Sequence, residues 1–310
     1  MKLVILDTLT LGDVNLEQFK DFGLVETYAT TKENEILERC KEADIIITCK
    51  VRFSAEILQS LPNLKLIALT STGMDIIDLE AAKSLGIQVK NVVGYSTFAV
   101  AQHALMLALA LLGNLASYDG YCKNGKWCDS PIFTHITHGL HELHSKQWGI
   151  IGLGNIGKQT AKLAQAFGAE VSYTSTSGAN TNSEYPQKSL QELLSSSDII
   201  SIHAPLNTST YHLLNQANLK LLKDHALLIN VGRGGIIDEE ALALRMQESQ
   251  IKFGSDVLEK EPMMANHPLL NPSIQDRLLL TPHTAWAYTE TRERLIQKVY
   301  ENIQTFLNQK

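Results

Sequence analysis

The sequence predicts an α/β protein of two domains, each built on a doubly wound parallel β-sheet. At 310 residues, the chain is longer than one compact core usually holds, so two domains are the natural expectation. Short apolar runs also alternate with helical patterns along most of the chain. Strands separated by helices need crossover connections, and such connections produce parallel sheets.

Four apolar runs in the first part of the chain are predicted strands, and helical segments lie between the later ones. Residues 79–85 are a predicted helix because Asp78 can cap its first turn and Gly86 can end it. A second helix is predicted at 32–41. The predicted strands cover residues 3–6, 44–48, 64–69 and 87–90.

Six further predicted strands follow, with helices between them at 156–167, 190–195 and 239–248. An alternation of this length fits a second doubly wound sheet. Two other helices are predicted: an apolar one at 98–112, which needs burial on most sides, and one at 289–307. The six strands are predicted at residues 148–151, 170–174, 198–202, 226–230, 251–256 and 277–280.

We expect the last helix to return to the first domain. The first domain would then comprise residues 1–96 and 284–310, and the second, 97–283, would be inserted into it. Residues 113–145 show weak periodicity with many polar and aromatic side chains, and we expect them to form a subunit-contact arm of a two-fold homodimer.

Composition argues against nucleic acid and membranes as partners. The formal net charge is −6, which does not suit a polyanion or an anionic lipid surface. The longest apolar run, 104–112, is too short to span a bilayer, and the N-terminal residues read as a buried strand rather than a signal peptide. We therefore expect a cytoplasmic protein.

The cysteines and histidines do not predict a metal site. The cysteines form no CxxC pair, and reduced structural thiols are the expectation. Four histidines crowd an irregular segment without the fixed spacing that metal ligands require. These residues are Cys40, Cys49, Cys122 and Cys128, and His135, His138, His141 and His144.

A glycine-rich turn follows the predicted strand 148–151 and opens a helix. In the run from Gly152 to Gly157, Gly152 permits the tight turn and Gly154 lets the backbone approach a pyrophosphate. Gly157 lets the helix and strand pack closely. The free N–H groups of the helix N-terminus favour a phosphate. Because a strand precedes the turn and a helix follows it, dinucleotide binding is favoured over a purely structural turn, and the inserted domain is a predicted Rossmann domain.

The strand after this helix departs from the usual NAD pattern. An acidic residue normally binds the adenosine ribose about 20 residues beyond the first glycine. Here the strand ends in Thr174, Ser175 and Thr176, and no carboxylate appears before Glu184. Hydroxyl groups can donate hydrogen bonds to a 2′-phosphate, but no arginine stands nearby. The choice between NAD and NADP stays open.

Three polar side chains follow late strands of the second domain, where parallel sheets bind their ligands. Arg233 lies between glycines in a predicted turn, and its planar guanidinium suits a carboxylate. Glu261 and His283 follow the next two strands, and a histidine so placed can act as an acid or base near neutral pH. A surface arginine and a structural strand-end histidine are the alternatives, and the occurrence of all three after successive strands argues against them.

With these motifs in order, the sequence resembles the D-2-hydroxyacid dehydrogenase family, the D-isomer-specific, formate/glycerate dehydrogenase-like group. The resemblance covers roughly residues 71–294. It implies a flavodoxin-like substrate domain beside the Rossmann domain. The motifs that carry it are Gly152 to Gly157, His203-Ala204-Pro205-Leu206-Asn207, Asn230-Val231-Gly232-Arg233-Gly234-Gly235, Asp256 with Glu261-Pro262, and Pro282-His283.

The resemblance implies roles for the matching residues. Arg233 would bind the substrate carboxylate and carbonyl, His283 would donate or accept the proton, and Glu261 would orient His283. Asp256 would meet the nicotinamide carboxamide. Lys50, Thr72 and Gly73 would contact the substrate. The residues expected to contact the dinucleotide are Gly152, Gly154, Asn155, Ile156, Gly157, Thr174, Ser175, Thr176, His203, Ala204, Pro205, Val231, Gly232, Arg233, Asp256 and His283.

Two segments are most similar to glycerate dehydrogenase (hydroxypyruvate reductase) members of the family. They are Val100-Ala101-Gln102-His103 and the run from His283 to Ala287. Many other members have Glu where Gln102 stands and lack Trp286. The implied activity is hydride transfer between NAD(P)(H) and C2 of a small 2-hydroxy or 2-oxo acid, with hydroxypyruvate/glycerate or glyoxylate/glycolate expected. D-lactate or phosphoglycerate dehydrogenase activity, and a non-catalytic dinucleotide-sensing scaffold, are the alternatives.

Overall fold

The computed structural model describes residues 1–136, 139–178, 182 and 184–309, and the chain forms two compact units. One unit comprises Met1–Ser96 and Ala287–Lys310, and the other comprises Thr97–Trp286. The second boundary falls after Trp286 rather than after His283 as predicted. The cause is Ala285, which is buried in the core of the second unit and donates its N–H to Asp256 Oδ2 (2.8 Å).

The first unit contains a five-stranded parallel sheet in the order β2-β1-β3-β4-β5, which is the flavodoxin-like order. The inner strands are almost continuously apolar and fully buried, as expected for a parallel sheet covered by helices on both faces. The register pairs Leu3 with Ile45 and Ile45 with Leu66. The strands are β1 (Lys2–Ile5), β2 (Leu24–Thr27), β3 (Ile45–Thr48), β4 (Leu66–Leu69) and β5 (Gln88–Lys90).

Short helices and one long helix cover this sheet. As predicted, Asp78 caps α4, with its Oδ1 accepting the Ala81 N–H (2.9 Å). The predicted helix at 32–41 is interrupted, because a 3₁₀ turn at Glu33–Glu35 precedes α2. The long helix α11 packs against β4 through one apolar face. The helices are α1 (Thr8–Leu11), α2 (Ile36–Cys40), α3 (Ala55–Gln59), α4 (Leu79–Ser84) and α11 (Thr289–Leu307), with a further 3₁₀ helix at Glu17–Phe22.

The second unit contains a six-stranded parallel sheet in the order β11-β10-β9-β8-β6-β7. A single parallel bridge between Tyr173 and Gln187 extends the edge beyond β7, where a Rossmann sheet carries a further strand. The chain order reverses between β6 and β8, so the carboxyl ends of these strands form the switch point. The strands are β6 (Gln147–Ile151), β7 (Glu170–Thr174), β8 (Ile199–Ile202), β9 (Leu227–Asn230), β10 (Lys252–Ser255) and β11 (Leu278–Leu280).

Helices cover both faces of this second sheet. The apolar helix α5 packs on α7, β9 and β10, which explains why its sequence is hydrophobic nearly all round. The segment predicted as an arm contains a helix, α6. The helices are α5 (Thr97–Leu112), α6 (Leu115–Lys123), α7 (Asn155–Ala166), α8 (Leu190–Ser196), α9 (Gln216–Leu219) and α10 (Glu239–Gln247), with 3₁₀ helices at Pro268–Leu270 and Pro272–Arg277.

Among the described residues, no single helix is long and apolar enough to cross a bilayer. Only α5 and α6 taken together reach that length and composition, and a 61° bend separates them.

Candidate active site

His283 and Glu261 meet at the carboxyl edge of the second sheet. The distance between His283 Nδ1 and Glu261 Oε2 is 2.7 Å, and the two side chains are 29% and 31% exposed. The other carboxylate oxygen, Oε1, accepts the Leu258 N–H at 3.1 Å, which fixes the carboxylate to its own loop. The contact orients the imidazole, leaving Nε2 as the ring nitrogen that can exchange a proton with a ligand.

His283 stands in a sharply folded loop with a positive φ of 54°. A residue with a Cβ pays about 1–2 kcal/mol for this left-handed conformation, and it persists where surrounding contacts over-determine it. Here the His283 N–H donates to the main-chain oxygen of Asp256 (2.8 Å) and to that of Thr281 (3.0 Å). The strained conformation turns the imidazole toward Glu261.

The Asp256 carboxylate holds the rest of this loop. The residue is 2% exposed. Its Oδ1 accepts the Thr281 hydroxyl (2.5 Å) and the Thr284 N–H (2.8 Å), and its Oδ2 accepts the Ala285 N–H (2.8 Å). Both carboxylate oxygens are therefore engaged with the loop that carries His283. The predicted contact of Asp256 with a nicotinamide carboxamide stays a prediction, and the loop contacts are a second role that the sequence did not reveal.

Arg233 follows β9 and extends its guanidinium into an exposed position. Its NH1 donates only to the neighbouring main-chain oxygen of Gly232 (2.9 Å), and no carboxylate of the described residues forms an ion pair with it. The following residue, Gly234, packs directly against the Leu258 backbone, where a Cβ would overlap Leu258. The loop bearing Arg233 thus touches the loop that leads to Glu261, while among the described residues no hydrogen bond or ion pair joins the guanidinium to Glu261 or His283.

The glycine turn after β6 has the geometry that the motif predicted. Gly152 adopts φ 91°, and a Cβ there would approach Ala204 N to 2.9 Å. A Cβ on Gly157 would overlap Gly152 O, so the helix packs closely on the turn as expected. At Gly154, which caps α7, a Cβ would meet no atom within 4 Å. This open space lies in front of the helix N-terminus, where phosphate groups bind.

Two buried polar atoms at the switch point lack a hydrogen-bond partner among the described residues: Ser175 Oγ and His203 Nδ1. His203 Nε2 lies 3.0 Å from Ser201 Oγ, which already accepts the Trp148 indole N–H (2.8 Å). Ser201 Oγ thus links the buried Trp148 indole to the His203 imidazole. Burial lowers the pKa of His203 to about 3, so the ring is neutral.

These observations fit a dinucleotide at the switch point. The turn leaves room for a pyrophosphate at Gly154, and unpartnered polar atoms stand at the ends of β7 and β8. Thr174 is buried and Thr176 is half-buried beside Ser175. No carboxylate follows β7 before Glu184. Hydrogen-bonding groups and close backbone approach are thus available without an acidic side chain at the ribose position.

The predicted substrate contacts of the first unit lie after β3 and β4. Lys50 is exposed, and its backbone N–H donates to Asp7 Oδ2 (3.1 Å). Thr72 donates its hydroxyl to Val92 O (2.8 Å), and Gly73 O accepts the Ser71 hydroxyl (2.8 Å). The buried Asp7 was not predicted, although a carboxylate directly after β1 is a recognisable signal.

The described residues contain no group of three or more histidine, cysteine, aspartate or glutamate side chains arranged to hold a metal ion. Of the crowded histidines, His138 lies outside the described residues. His135 stacks on Tyr121 with ring centroids 3.9 Å apart. All four cysteines are free thiols, and Cys122 and Cys128 are exposed.

Comparison with known proteins identifies the family of this arrangement. The family model described as D-isomer specific 2-hydroxyacid dehydrogenase, NAD binding domain, matches residues 105–285. A hydroxypyruvate reductase of Blautia hydrogenotrophica is 33% identical, with 99% of this chain and 97% of the relative covered. A glyoxylate reductase of Aeropyrum pernix is 36% identical over 94% of this chain and 88% of the relative.

A solved structure gives the same result for the fold. The crystal structure of the TT0316 protein from Thermus thermophilus aligns with a TM-score of 0.90 and 33% identity, covering 100% of this chain and 98% of that one. Both α/β units are thus shared. The chain belongs to the D-isomer specific 2-hydroxyacid dehydrogenases, a family of NAD(P)-dependent oxidoreductases.

Proposed function

We propose that this enzyme interconverts a small 2-oxo acid and the corresponding 2-hydroxy acid, either hydroxypyruvate and D-glycerate or glyoxylate and glycolate. The observation that carries the proposal is the 2.7 Å contact between His283 and Glu261 at the carboxyl edge of the second sheet. A histidine paired in this way is an acid and base suited to a carbinol oxygen. The names of the relatives in Blautia and Aeropyrum support the choice of substrate.

Each side chain has a separate task in this proposal. His283 gives its Nε2 proton to the substrate oxygen during reduction and takes it back during oxidation, while Glu261 holds Nδ1. Arg233 binds the substrate carboxylate and stabilises charge developing on the carbonyl oxygen. A nicotinamide dinucleotide held along the carboxyl edge of the second sheet would supply or accept the hydride at C2 of the substrate. Lys50, Thr72 and Gly73 are proposed to contact the substrate.

We propose that the dinucleotide binds along the carboxyl edge of the second sheet. The glycine turn takes the pyrophosphate, and the residues after β7, β8 and β9 line the rest of the dinucleotide. The hydroxyl groups at the end of β7 are compatible with either a ribose hydroxyl or a 2′-phosphate, because no carboxylate there repels the phosphate. The enzyme is therefore proposed to accept both NADH and NADPH.

The test is a panel of substrates and cofactors on the purified protein. Oxidation of NADH and of NADPH is followed by absorbance with hydroxypyruvate, glyoxylate, pyruvate and 3-phosphohydroxypyruvate. We expect the highest kcat/KM for hydroxypyruvate or glyoxylate, and loss of turnover in His283→Ala with cofactor binding retained. Preference for pyruvate or the phosphorylated acid would replace the substrate assignment. Cofactor binding without turnover on any 2-oxo acid would favour a dinucleotide sensor.

We further propose a homodimer located in the cytoplasm. Several large apolar side chains in the segment 113–145 are strongly exposed, including Phe133 at 88% and Ile136 at 73%. An exposed apolar group of this kind is typical of a subunit interface. Exposed free thiols at Cys122 and Cys128 are typical of a reducing compartment.

A further inference from the structure

A buried polar cluster lies beneath the loop that carries His283, and it joins three elements of the second unit. His103 comes from α5, Asp256 follows β10, and Thr281 follows β11. Thr281 Oγ1 lies 2.9 Å from His103 Nε2 and 2.5 Å from Asp256 Oδ1. His103 Nε2 is itself 3.6 Å from Asp256 Oδ1. His103 is 3% exposed and Asp256 2% exposed, so water does not compete with these contacts.

The direction of each hydrogen bond follows from the chemistry of the groups. A carboxylate only accepts, so the single proton of the Thr281 hydroxyl is donated to Asp256 Oδ1. The hydroxyl oxygen then accepts from His103, which places a proton on Nε2. Burial lowers the pKa of His103, while the nearby charge of Asp256 opposes that shift. A neutral imidazole with its proton on Nε2 satisfies these contacts.

The Asp256 carboxylate connects this cluster to the loop that carries His283. Besides the Thr281 hydroxyl, Asp256 accepts the main-chain N–H groups of Thr284 and Ala285, and its own main-chain oxygen accepts the His283 N–H. The left-handed backbone of His283 lies at the centre of these contacts. Rotation of the Asp256 carboxylate would release the loop on both sides of His283.

We propose that His103 and Thr281 are positioning residues for His283, acting through Asp256. The inference rests on the proposed function, because it concerns the ring that exchanges the substrate proton. His103 donates to Thr281, Thr281 donates to Asp256, and Asp256 keeps the loop in the conformation that brings the imidazole onto Glu261. Neither His103 nor Thr281 is proposed to touch the substrate.

The test uses pairs of variants in the full-length enzyme. Thr281→Val removes the hydroxyl at nearly constant volume, and Thr281→Ser restores it. His103→Leu removes the donor, and His103→Gln restores an N–H at the position of Nε2. Thr291→Val, at a buried threonine of α11 in the other unit, is the control. Each variant is measured for kcat, KM, cofactor Kd and amide hydrogen exchange.

We expect kcat to fall about tenfold in Thr281→Val and in His103→Leu, because a small misplacement of a reacting group is costly. KM for the 2-oxo acid should change less than about twofold, since Arg233 lies outside this loop, and Kd for NADPH should change less than about twofold, since the glycine turn proposed to hold the pyrophosphate stays in place. Serine and glutamine should recover most of the lost kcat. The Thr284 and Ala285 amides should exchange faster in Thr281→Val than in the wild type.

The inference is overturned if Thr281→Val keeps the kcat and the exchange rates of the control. It is also overturned if kcat and Kd worsen together without recovery in Thr281→Ser, which would indicate general damage to the unit. Failure of the proposed function is distinguishable, because then the wild type itself turns over no 2-oxo acid. In that case the exchange of the Thr284 and Ala285 amides still decides whether the cluster holds the loop.

Discussion

At the scale of single residues, the ends of three successive strands provide groups of different character. Arg233 is exposed and without an ion pair among the described residues, whereas the Asp256 carboxylate is fully engaged inside the protein. His283 and Glu261 are intermediate, partly exposed and joined to each other. A free guanidinium is ready to bind an anionic ligand, and an engaged carboxylate suits a supporting role.

We expect Arg233→Ala to lower kcat/KM for the 2-oxo acid by more than about 100-fold, the size associated with loss of one key electrostatic contact. Arg233→Lys should recover only part of this loss, because an ammonium group lacks the planar fork that matches a carboxylate. Steady-state kinetics with the preferred cofactor provide the measurement. Near-normal turnover in Arg233→Ala would remove this residue from the mechanism.

Because of His203, the folded protein becomes less stable as the pH is lowered. Burial lowers its pKa from 6.5 to about 3, so the folded protein disfavours the charged ring. Above about pH 6.5 the ring is neutral in both the folded and the unfolded protein. As the pH falls from there toward 3, only the unfolded chain binds the proton, so the free energy of unfolding falls by at most about 1.4 kcal/mol per pH unit.

The Tm of the cofactor-free wild type should therefore fall as the pH is lowered from about 7.5 to about 5. The change in Tm per pH unit should be smaller in His203→Gln. Glutamine keeps a polar group near Ser201 but does not titrate. Thermal unfolding followed by circular dichroism measures both proteins. Equal slopes would mean that His203 does not cause the acid dependence.

The residues proposed to react are predictable from the sequence, but the contacts that support them are not. The motifs and the places after strands single out Arg233, Glu261 and His283, which are the residues proposed to carry the chemistry. The supporting contacts of Thr281 and His103 were not predicted, because His103 lies far away in the chain and no motif links it to Asp256. The left-handed φ of His283 likewise depends on the hydrogen bonds to Asp256, which arise from the packed structure.

At the scale of elements, the glycine turn combines two glycines that serve different purposes. Gly157 has no room for a side chain because a Cβ would overlap Gly152 O, whereas Gly154 faces open space. Gly157 therefore allows α7 to pack on β6, and Gly154 is proposed to leave room for the pyrophosphate of the dinucleotide.

We expect Gly154→Ala to leave Tm within about 2 °C of the wild type, since no protein atom is displaced. Its Kd for NADPH should rise more than about tenfold, because the methyl group occupies space for the pyrophosphate. Gly157→Ala should lower Tm markedly. Gly120→Ala, in α6 and also open, is the control. Unchanged NADPH binding in Gly154→Ala, measured by fluorescence titration, would contradict the assigned phosphate site.

Most of the secondary structure was predictable because buried parallel strands are short, apolar and bounded by turns. Of the eleven strands that the described part of the chain forms, ten were predicted within one or two residues at each end. The exception, β2, is an edge strand with half-exposed side chains, so no apolar run marks it. Helix α6 was not predicted because all its residues are at least partly exposed and its periodicity is weak.

At the scale of the whole molecule, the segment 113–145 exposes a group of large apolar side chains in the single chain. Trp127, Ile132, Phe133 and Ile136 are each more than half exposed. Such a group on a protein surface is typically covered by another protein surface. The proposed occupant is a second copy of this chain.

Sedimentation velocity should show a dimer for the wild type, with a large shift toward the monomer in Phe133→Asp, because a charge in an apolar interface is costly to desolvate. Phe167→Asp replaces another exposed phenylalanine of the same unit, outside the arm, and should leave the dimer intact. A monomeric wild type, or equal behaviour of the two variants, would exclude the arm as the contact surface.

The discontinuous first unit also imposes an order on synthesis. Helix α11 packs against β4 and buries Leu295, Val299 and Ile303, yet the ribosome makes this helix only after Thr97–Trp286. All of Thr97–Trp286 is translated in between, which takes on the order of ten to forty seconds at about 5–20 residues per second. The second unit is thus able to fold as it emerges, while β4 of the first unit still lacks the cover of α11, and chaperone binding during translation should concentrate on the side of β4 that this helix later covers.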